Sequence, residues 1–110
     1  MIKASPEEAL SVFRGWMDSN ARIRFVASLH AVGMSVDCSV FKVDSAKVGL
    51  LLPGPHTGVC SIELSGCEFF FGAEDAPSSE GEVRGLKLDA GISVITEDGE
   101  SLWLIEEIDG

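Results

Sequence analysis

The spacing of apolar residues changes near residue 22, and this change constrains the fold more than any other feature of the chain. Before it, apolar residues recur three or four positions apart, which is typical of an amphipathic helix. After it, from Ile23 to Ala31, they alternate with mostly polar residues, which is typical of a strand with one buried face. The sequence therefore predicts one helix followed by a sheet.

The helix is predicted over residues 5–20. Ser5 is a favourable N-cap, Pro6 occupies the first helical position, and Glu8 stands where a capping box requires an acidic side chain. Burial of its apolar face should hold the helix on the remaining structure. That face consists of Ala9, Leu10, Val12, Phe13, Trp16 and Met17.

Residues 22–72 predict about five short strands separated by turn residues. In the second strand the apolar positions change parity at Val40 and Phe41, which predicts a β-bulge there. Residues 73–85 are rich in glycine, serine, proline and acids and predict a loop. Residues 86–108 alternate again around an Asp98-Gly99 turn and predict a C-terminal hairpin.

These elements predict one domain over residues 1–110, because the chain is too short for two cores. No second helix follows a strand, as a parallel sheet would require, so we expect antiparallel pairing. The predicted fold class is mainly β. It consists of an N-terminal α-helix (5–20), an antiparallel small β-barrel of about five strands (22–72), an acidic loop (73–85) and a C-terminal β-hairpin (86–108).

The order of a helix and five strands resembles the Sm-like small β-barrels. Ile23 to Leu52 is similar to the first Sm motif, with a turn at Gly33 and a strand ending at Asp44, and Val83-Arg84-Gly85 is similar to the centre of the second. The resemblance implies a small barrel of Sm-like or SH3-like type. RNA-binding members carry an asparagine four residues after the motif aspartate, where this chain has Val48. The resemblance therefore implies neither RNA binding nor ring assembly. A split barrel and a pleckstrin-like roll have a similar strand count and stay open as alternatives.

Charge is distributed unevenly along the chain. Residues 1–73 have a net charge of −1, whereas residues 74–110 carry eleven acids and two bases, a net charge of −9. Such a field repels phosphate backbones and disfavours nucleic-acid binding. The N-terminal residues show no apolar leader, and no apolar run is long enough to span a membrane. We therefore expect a soluble cytoplasmic protein without a membrane partner.

The residue types needed for catalysis are scarce. Only two histidines occur; His30 falls on the polar face of a strand, and His56 lies in a loop four residues before Cys60. Neither has a convincing carboxylate and nucleophile beside it, so we expect no enzyme. With Cys38 and Cys67 the chain has three cysteines, without the close pairs of zinc sites. The sequence predicts no metal and no cofactor.

Apolar residues on both faces of two strands indicate instead a protein-interaction surface. Phe70 is opposite in parity to its two phenylalanine neighbours, and Trp103 and Ile105 are opposite to the leucines around them. With Phe13 and Trp16 on the helix, these residues form the candidate interaction surface. The leading hypothesis is a non-enzymatic interaction or assembly module, with a second copy of the chain or another protein as partner.

Two other functions stay open. A small ligand could bind between helix and barrel, lined by Phe13, Trp16 and Phe70. RNA could bind at Arg22 and Arg24 together with His30, although the charge of the chain disfavours it.

Overall fold

The computed structural model describes residues 2–29, 32–52, 58–76 and 85–108. Within these ranges the chain forms one α-helix, eight strands and a turn of 3₁₀-helix at Leu88–Ala90. The helix, α1, spans Pro6–Ser19, and the strands are β1 (Ile2–Ala4), β2 (Ile23–Leu29), β3 (Val32–Val43), β4 (Lys47–Leu52), β5 (Gly58–Glu63), β6 (Glu68–Phe71), β7 (Ile92–Ile95) and β8 (Ser101–Glu106). Every pairing between these strands is antiparallel. The predicted mainly-β class is confirmed.

The ends of α1 follow from local sequence. The Ser5 hydroxyl accepts a hydrogen bond from the Glu8 backbone N–H at 3.1 Å, and the Glu8 carboxylate accepts one from the Ser5 N–H at 3.0 Å. This is the predicted capping box. At the other end Asn20 adopts a left-handed conformation and closes the helix. Side chains on one face of α1, including Phe13 and Trp16, are buried against the sheet.

The sheet is strongly curled. Its strand order is β1-β6-β7-β8-β2-β3-β4-β5, so six inter-strand steps separate β5 from β6. In a flat sheet this would place them about 29 Å apart. Only residues 64–67 join them, and such a connection spans at most about 17 Å. The ends of the sheet therefore approach each other, but no pairing within the described ranges closes it into a barrel.

The bend is built into β3, a strand of 12 residues. Its first half pairs with β2 and its second half with β4, and the register shifts between Val40 and Lys42. The shift confirms the predicted bulge near Val40 and Phe41. A bulge increases local twist and lets one strand serve both halves of a curved sheet.

The C-terminal hairpin is a central part of the sheet and not an appendage. The predicted hairpin exists, since β7 pairs with β8, but the pair lies between β6 and β2. The prediction of a five-stranded unit with an added hairpin is wrong on this point. Residues 86–91 are also not the expected strand: Leu86 makes a single bridge to Glu107, and a 3₁₀ turn follows.

Two apolar cores explain why some strands are apolar on both faces. The larger core lies between α1 and the inner face of the curled sheet. A smaller one lies on the opposite face, where residues 73–76 and 86–88 cover β2 and β8. It consists of Val26, Ala73, Leu86, Trp103 and Ile105, with Ala76 and Leu88 against it.

Some predictions fall outside the described residues. These are His30, His56, and the Val83 and Arg84 positions of the second Sm-like motif. Strand β1 was not predicted and pairs with β6 at the edge of the sheet. In the described part of the chain no helix has the length and apolar character needed to span a bilayer.

Candidate functional site

The structure buries four of the five residues predicted as an interaction surface. Phe13 and Ile105 have no exposed area, and Trp16 and Trp103 are 5% and 6% exposed. The chain itself covers them, so a partner is not needed to hide their apolar area. Phe70 is the half-exposed member of the set.

The predicted ligand cavity between helix and sheet is not formed by the residues named for it. The rings of Phe13 and Trp16 pack together, with centroids 5.8 Å apart. Phe69 lies in the same core, whereas Phe70, its neighbour in the pleated strand, points to the opposite face. The three predicted lining residues therefore do not face a common space.

The predicted basic surface is neutralised where the structure describes it. Arg24 Nη2 lies 2.9 Å from Asp37 Oδ1 and 3.4 Å from Glu107 Oε1, and Arg22 Nε lies 3.4 Å from Glu107 Oε2. Two cations thus face two carboxylates. A hydrogen bond with the Asp37 carboxyl, burial, and the negative charge of Asp37 raise the pKa of Glu107 above its usual range. These four residues form a charge cluster and not a basic patch for phosphates.

The thiols differ in their surroundings. Burial raises the pKa of Cys38 to about 12, so this residue is a core thiol. Cys60 and Cys67 are half-buried, and both border the same cavity. Among the described residues, no three side chains of the metal-ligating types are grouped to hold an ion.

This cavity, which we call the β5 cleft, has a volume of about 350 Å³. It lies between β5 with its following turn and the tip of the β7–β8 hairpin, where the curled sheet is open. Its lining consists of Phe25, Cys60, Ser61, Ile62, Glu63, Ser65, Cys67, Thr96, Glu97, Asp98, Glu100 and Leu102.

Strand β5 borders the cleft with its backbone edge. Residues 60–63 all line the cavity, although successive side chains of a strand point to opposite faces. Four consecutive residues can border one space only when the strand presents its edge to it. In the strand order β5 is one of the two terminal strands, and among the described residues it pairs with β4 alone.

Hydrogen bonds at the end of β5 show which backbone groups face the cleft. The Leu64 N–H donates to the Ala46 carbonyl at 2.8 Å, towards β4. The Glu63 carbonyl points the other way and accepts a hydrogen bond from the Cys67 thiol at 3.3 Å. Because the pattern alternates in an antiparallel pair, the N–H and C=O groups of Val59 and Ser61 also point away from β4. The described residues offer these groups no partner.

The opposite wall of the cleft is fixed to the end of β5. The Cys67 sulfur accepts a hydrogen bond from the Glu97 backbone N–H, and burial raises the pKa of this thiol. Gly66 has a φ of 76° and lies so close to Glu97 that an added Cβ would be 2.9 Å from its carboxylate. The hairpin is closed by hydrogen bonds between Thr96 and Glu100. The turn and the hairpin tip therefore form a preorganised wall.

The cleft combines an apolar floor with an acidic rim. Phe25, Ile62 and Leu102 are buried beneath it. Glu63, Glu97 and Asp98 are exposed at its mouth, and none of the three forms an ion pair with another described residue. Grouped carboxylates at a concave surface attract cations.

An exposed apolar strip, outside the lining of the cleft, lies on the outer face of the sheet near the start of β5. Phe41, Leu51 and Val59 are 45%, 38% and 63% exposed. Leu51 and Val59 are register partners on β4 and β5, and the Phe41 ring lies over Gly49, where an added Cβ would be 2.9 Å from it. We call these three residues the outer strip. It ends at the free edge of β5.

Comparison with protein-family models, curated proteins and solved structures finds no match to this chain. The candidate site therefore depends on its own geometry. Sequence reasoning did not find the β5 cleft, because its two walls come from segments that are 29 positions apart at their nearest, Cys67 and Thr96. The local signal was the acidic run Glu97-Asp98-Gly99-Glu100, which was predicted to be a hairpin turn.

Proposed function

We propose that the chain is a non-enzymatic protein-interaction module that binds an extended segment of another protein as an added strand on β5. The observation that carries the proposal is that residues 60–63 border the cleft consecutively, which places a free strand edge along it. Main-chain hydrogen bonds supply affinity in this mode of recognition, and pockets along the edge supply specificity.

The geometry favours strand addition over the binding of a compact ligand. Val59 and Ser61 direct their backbone N–H and C=O groups away from β4. These groups have the spacing that pairs with an extended chain. Unpaired edges favour such pairing, and native proteins usually cover or charge them. Apolar side chains on the outer face of an added strand would extend the outer strip, because the strip ends at the free edge of β5.

The surroundings of the thiols support binding and not covalent chemistry. Cys67 donates to the Glu63 carbonyl, and its raised pKa disfavours the reactive thiolate. The acidic rim likewise disfavours RNA, the alternative that requires attraction to phosphates. As part of the proposal, we interpret the curled sheet as an opened small β-barrel of the Sm-like or SH3-like kind, supported by the bulge and the short link from β5 to β6.

The acidic rim favours a basic partner segment, and a second copy of this chain is poorly placed to supply it. The described basic residues lie in α1, in paired strands or in segments bonded to β8 or Glu107. The other terminal strand of the sheet, β1, also has a free edge, but it is three residues long and its one base, Lys3, lies 3.8 Å from the Glu68 carboxylate. We therefore assign the cleft to a different protein. Self-association stays a separate prediction, which light scattering tests.

The proposal is tested by removing the outward donor at Ser61. Because this N–H does not bond to β4, Ser61→Pro removes it without breaking the ladder, and proline is tolerated at such edge positions. The probe is a capped eight-residue peptide that alternates lysine and valine, and binding is followed by fluorescence anisotropy. Loss of a main-chain hydrogen bond that leaves its partner unsatisfied should weaken binding by about tenfold.

Ser61→Val is the matched control, since it keeps the N–H and favours a strand. It should bind the peptide as the wild-type protein does, and circular dichroism should show that both variants are folded. Equal affinity of the proline variant and the wild-type protein would contradict strand addition on β5. Absence of any binding at millimolar peptide concentration would contradict it as well.

A further inference from the structure

The free edge of β5 differs at its two ends, and this difference gives the edge a direction. Glu63 lies at the C-terminal end of β5, and Glu97 is fixed to the turn that follows. The adjacent Asp98 belongs to the same hairpin tip. Three carboxylates therefore gather at one end of the strand edge.

The other end is apolar. Val59 is the second residue of β5, and its register partner Leu51 lies beside it on the outer face of the sheet. Phe41 completes the outer strip across β3. Val59 and Glu63 are four positions apart, about 13 Å along an extended strand. A partner strand of five to eight residues therefore contacts both ends at once.

We infer that the partner segment is basic in its N-terminal half and apolar in its C-terminal half, and that it runs antiparallel to β5. This inference rests on the proposed function and names the sequence class that the cleft accepts. The acidic end of the β5 edge requires lysine or arginine in the partner, beside Glu63 and the hairpin tip, because carboxylates attract cations. The apolar end requires valine, isoleucine or leucine beside Val59, because adjacent apolar side chains on a sheet face stabilise the pair.

The direction follows from the type of pairing. All described strand pairs of this sheet are antiparallel, and antiparallel ladders are slightly more stable per residue than parallel ones. An antiparallel segment begins at the end of β5 where Glu63 lies and finishes near Val59. Basic residues therefore come first in the partner segment and apolar residues last.

The experiment compares two capped eight-residue peptides of identical composition. In one, four residues rich in lysine and arginine precede four that alternate threonine and valine; in the other, the same residues stand in reverse order. Affinities are measured for the wild-type protein and for Ser61→Pro at low and at moderate salt. The basic-first peptide should bind at least tenfold more tightly than its reverse, and salt should reduce its affinity, since salt screens exposed charges.

Two charge variants test the acidic end. The double variant Glu97→Gln with Asp98→Asn removes two charges and keeps a favourable Asn-Gly turn. It should weaken binding of the basic-first peptide about fivefold. The control, Glu7→Gln with Asp18→Asn, removes two exposed charges on α1 and should change the affinity less than twofold.

The outcomes separate the inference from the proposed function. If the reversed peptide binds equally or more tightly while Ser61→Pro still weakens binding, the direction is wrong and the strand-addition site stands. If the two double variants bind alike, the acidic end does not select the partner. If Ser61→Pro has no effect on either peptide, the proposed function fails and the inference fails with it.

Discussion

Gly91 packs closely against Ala73 and the backbone of β8, and it offers a sharp test of the second core. A Cβ at this position would lie 2.7 Å from the Ala73 Cβ and 3.2 Å from the Leu104 carbonyl oxygen. The backbone of Gly91 is extended, with φ −80° and ψ 168°, so alanine meets no conformational barrier. The cost of Gly91→Ala is therefore steric.

The expected cost is that of overpacking a close-packed core, about 1–3 kcal/mol in the free energy of unfolding. Neither the Ala73 Cβ nor the Leu104 carbonyl can swing aside, because both are fixed to the backbone. Urea denaturation followed by tryptophan fluorescence measures the cost, since Trp103 belongs to the affected core. The slope of the transition should stay unchanged.

Two further variants identify the cause. Ala73→Gly removes one partner of the clash, so in the double variant the two substitutions should cost about 1 kcal/mol less than their sum. Gly15→Ala is the matched control on the exposed face of α1, where a Cβ meets nothing within 4 Å, and it should stabilise the protein by about 1 kcal/mol. If Gly91→Ala is as stable as the wild-type protein, or if Ala73→Gly gives no compensation, the packing described for the second core is contradicted.

Two predictions concern titrating groups. With a pKa of about 12, Cys38 should react with a thiol reagent at pH 8 roughly a thousandfold more slowly than an ordinary thiol, and mass spectrometry should find Cys60 and Cys67 modified first. Early modification of Cys38 would contradict its burial. Because the folded-state pKa of Glu107 is raised, its contribution to stability is present at low pH and is lost as pH rises through that value. Glu107→Gln should therefore gain stability relative to the wild-type protein as pH rises above 4.5, the ordinary pKa of this carboxyl, and a constant difference in urea denaturation would refute this.

Local features of the fold were predictable from the sequence because their causes lie within a few residues. The helix start depends on Ser5 and Glu8, the first and last of the four positions of one capping box, and both hydrogen bonds of the box are present. The bulge followed from a change of parity inside β3, since a pleated strand cannot keep one apolar face across an extra residue.

Long-range features were not predictable in this way. The three residues of β1 pair with β6, more than sixty residues later, and carry no local strand signal. Trp103 and Ile105 indicated a second apolar face, but the sequence could not show that residues 73–76 and 86–88 of the same chain cover it. The free edge of β5 depends on the whole strand order, so the candidate site became visible only in three dimensions.

Amide hydrogen exchange at Ser61 tests the central claim most directly, because its N–H faces the β5 cleft while that of Ile62 bonds to β4. Without a partner, the Ser61 amide should exchange much faster than the Ile62 amide. Saturation with the basic-first peptide should slow exchange at Ser61 by at least tenfold and leave Ile62 nearly unchanged. Protection of Ser61 in the free protein, or unchanged exchange at Ser61 in the saturated complex, would contradict the assignment of this edge as the binding site.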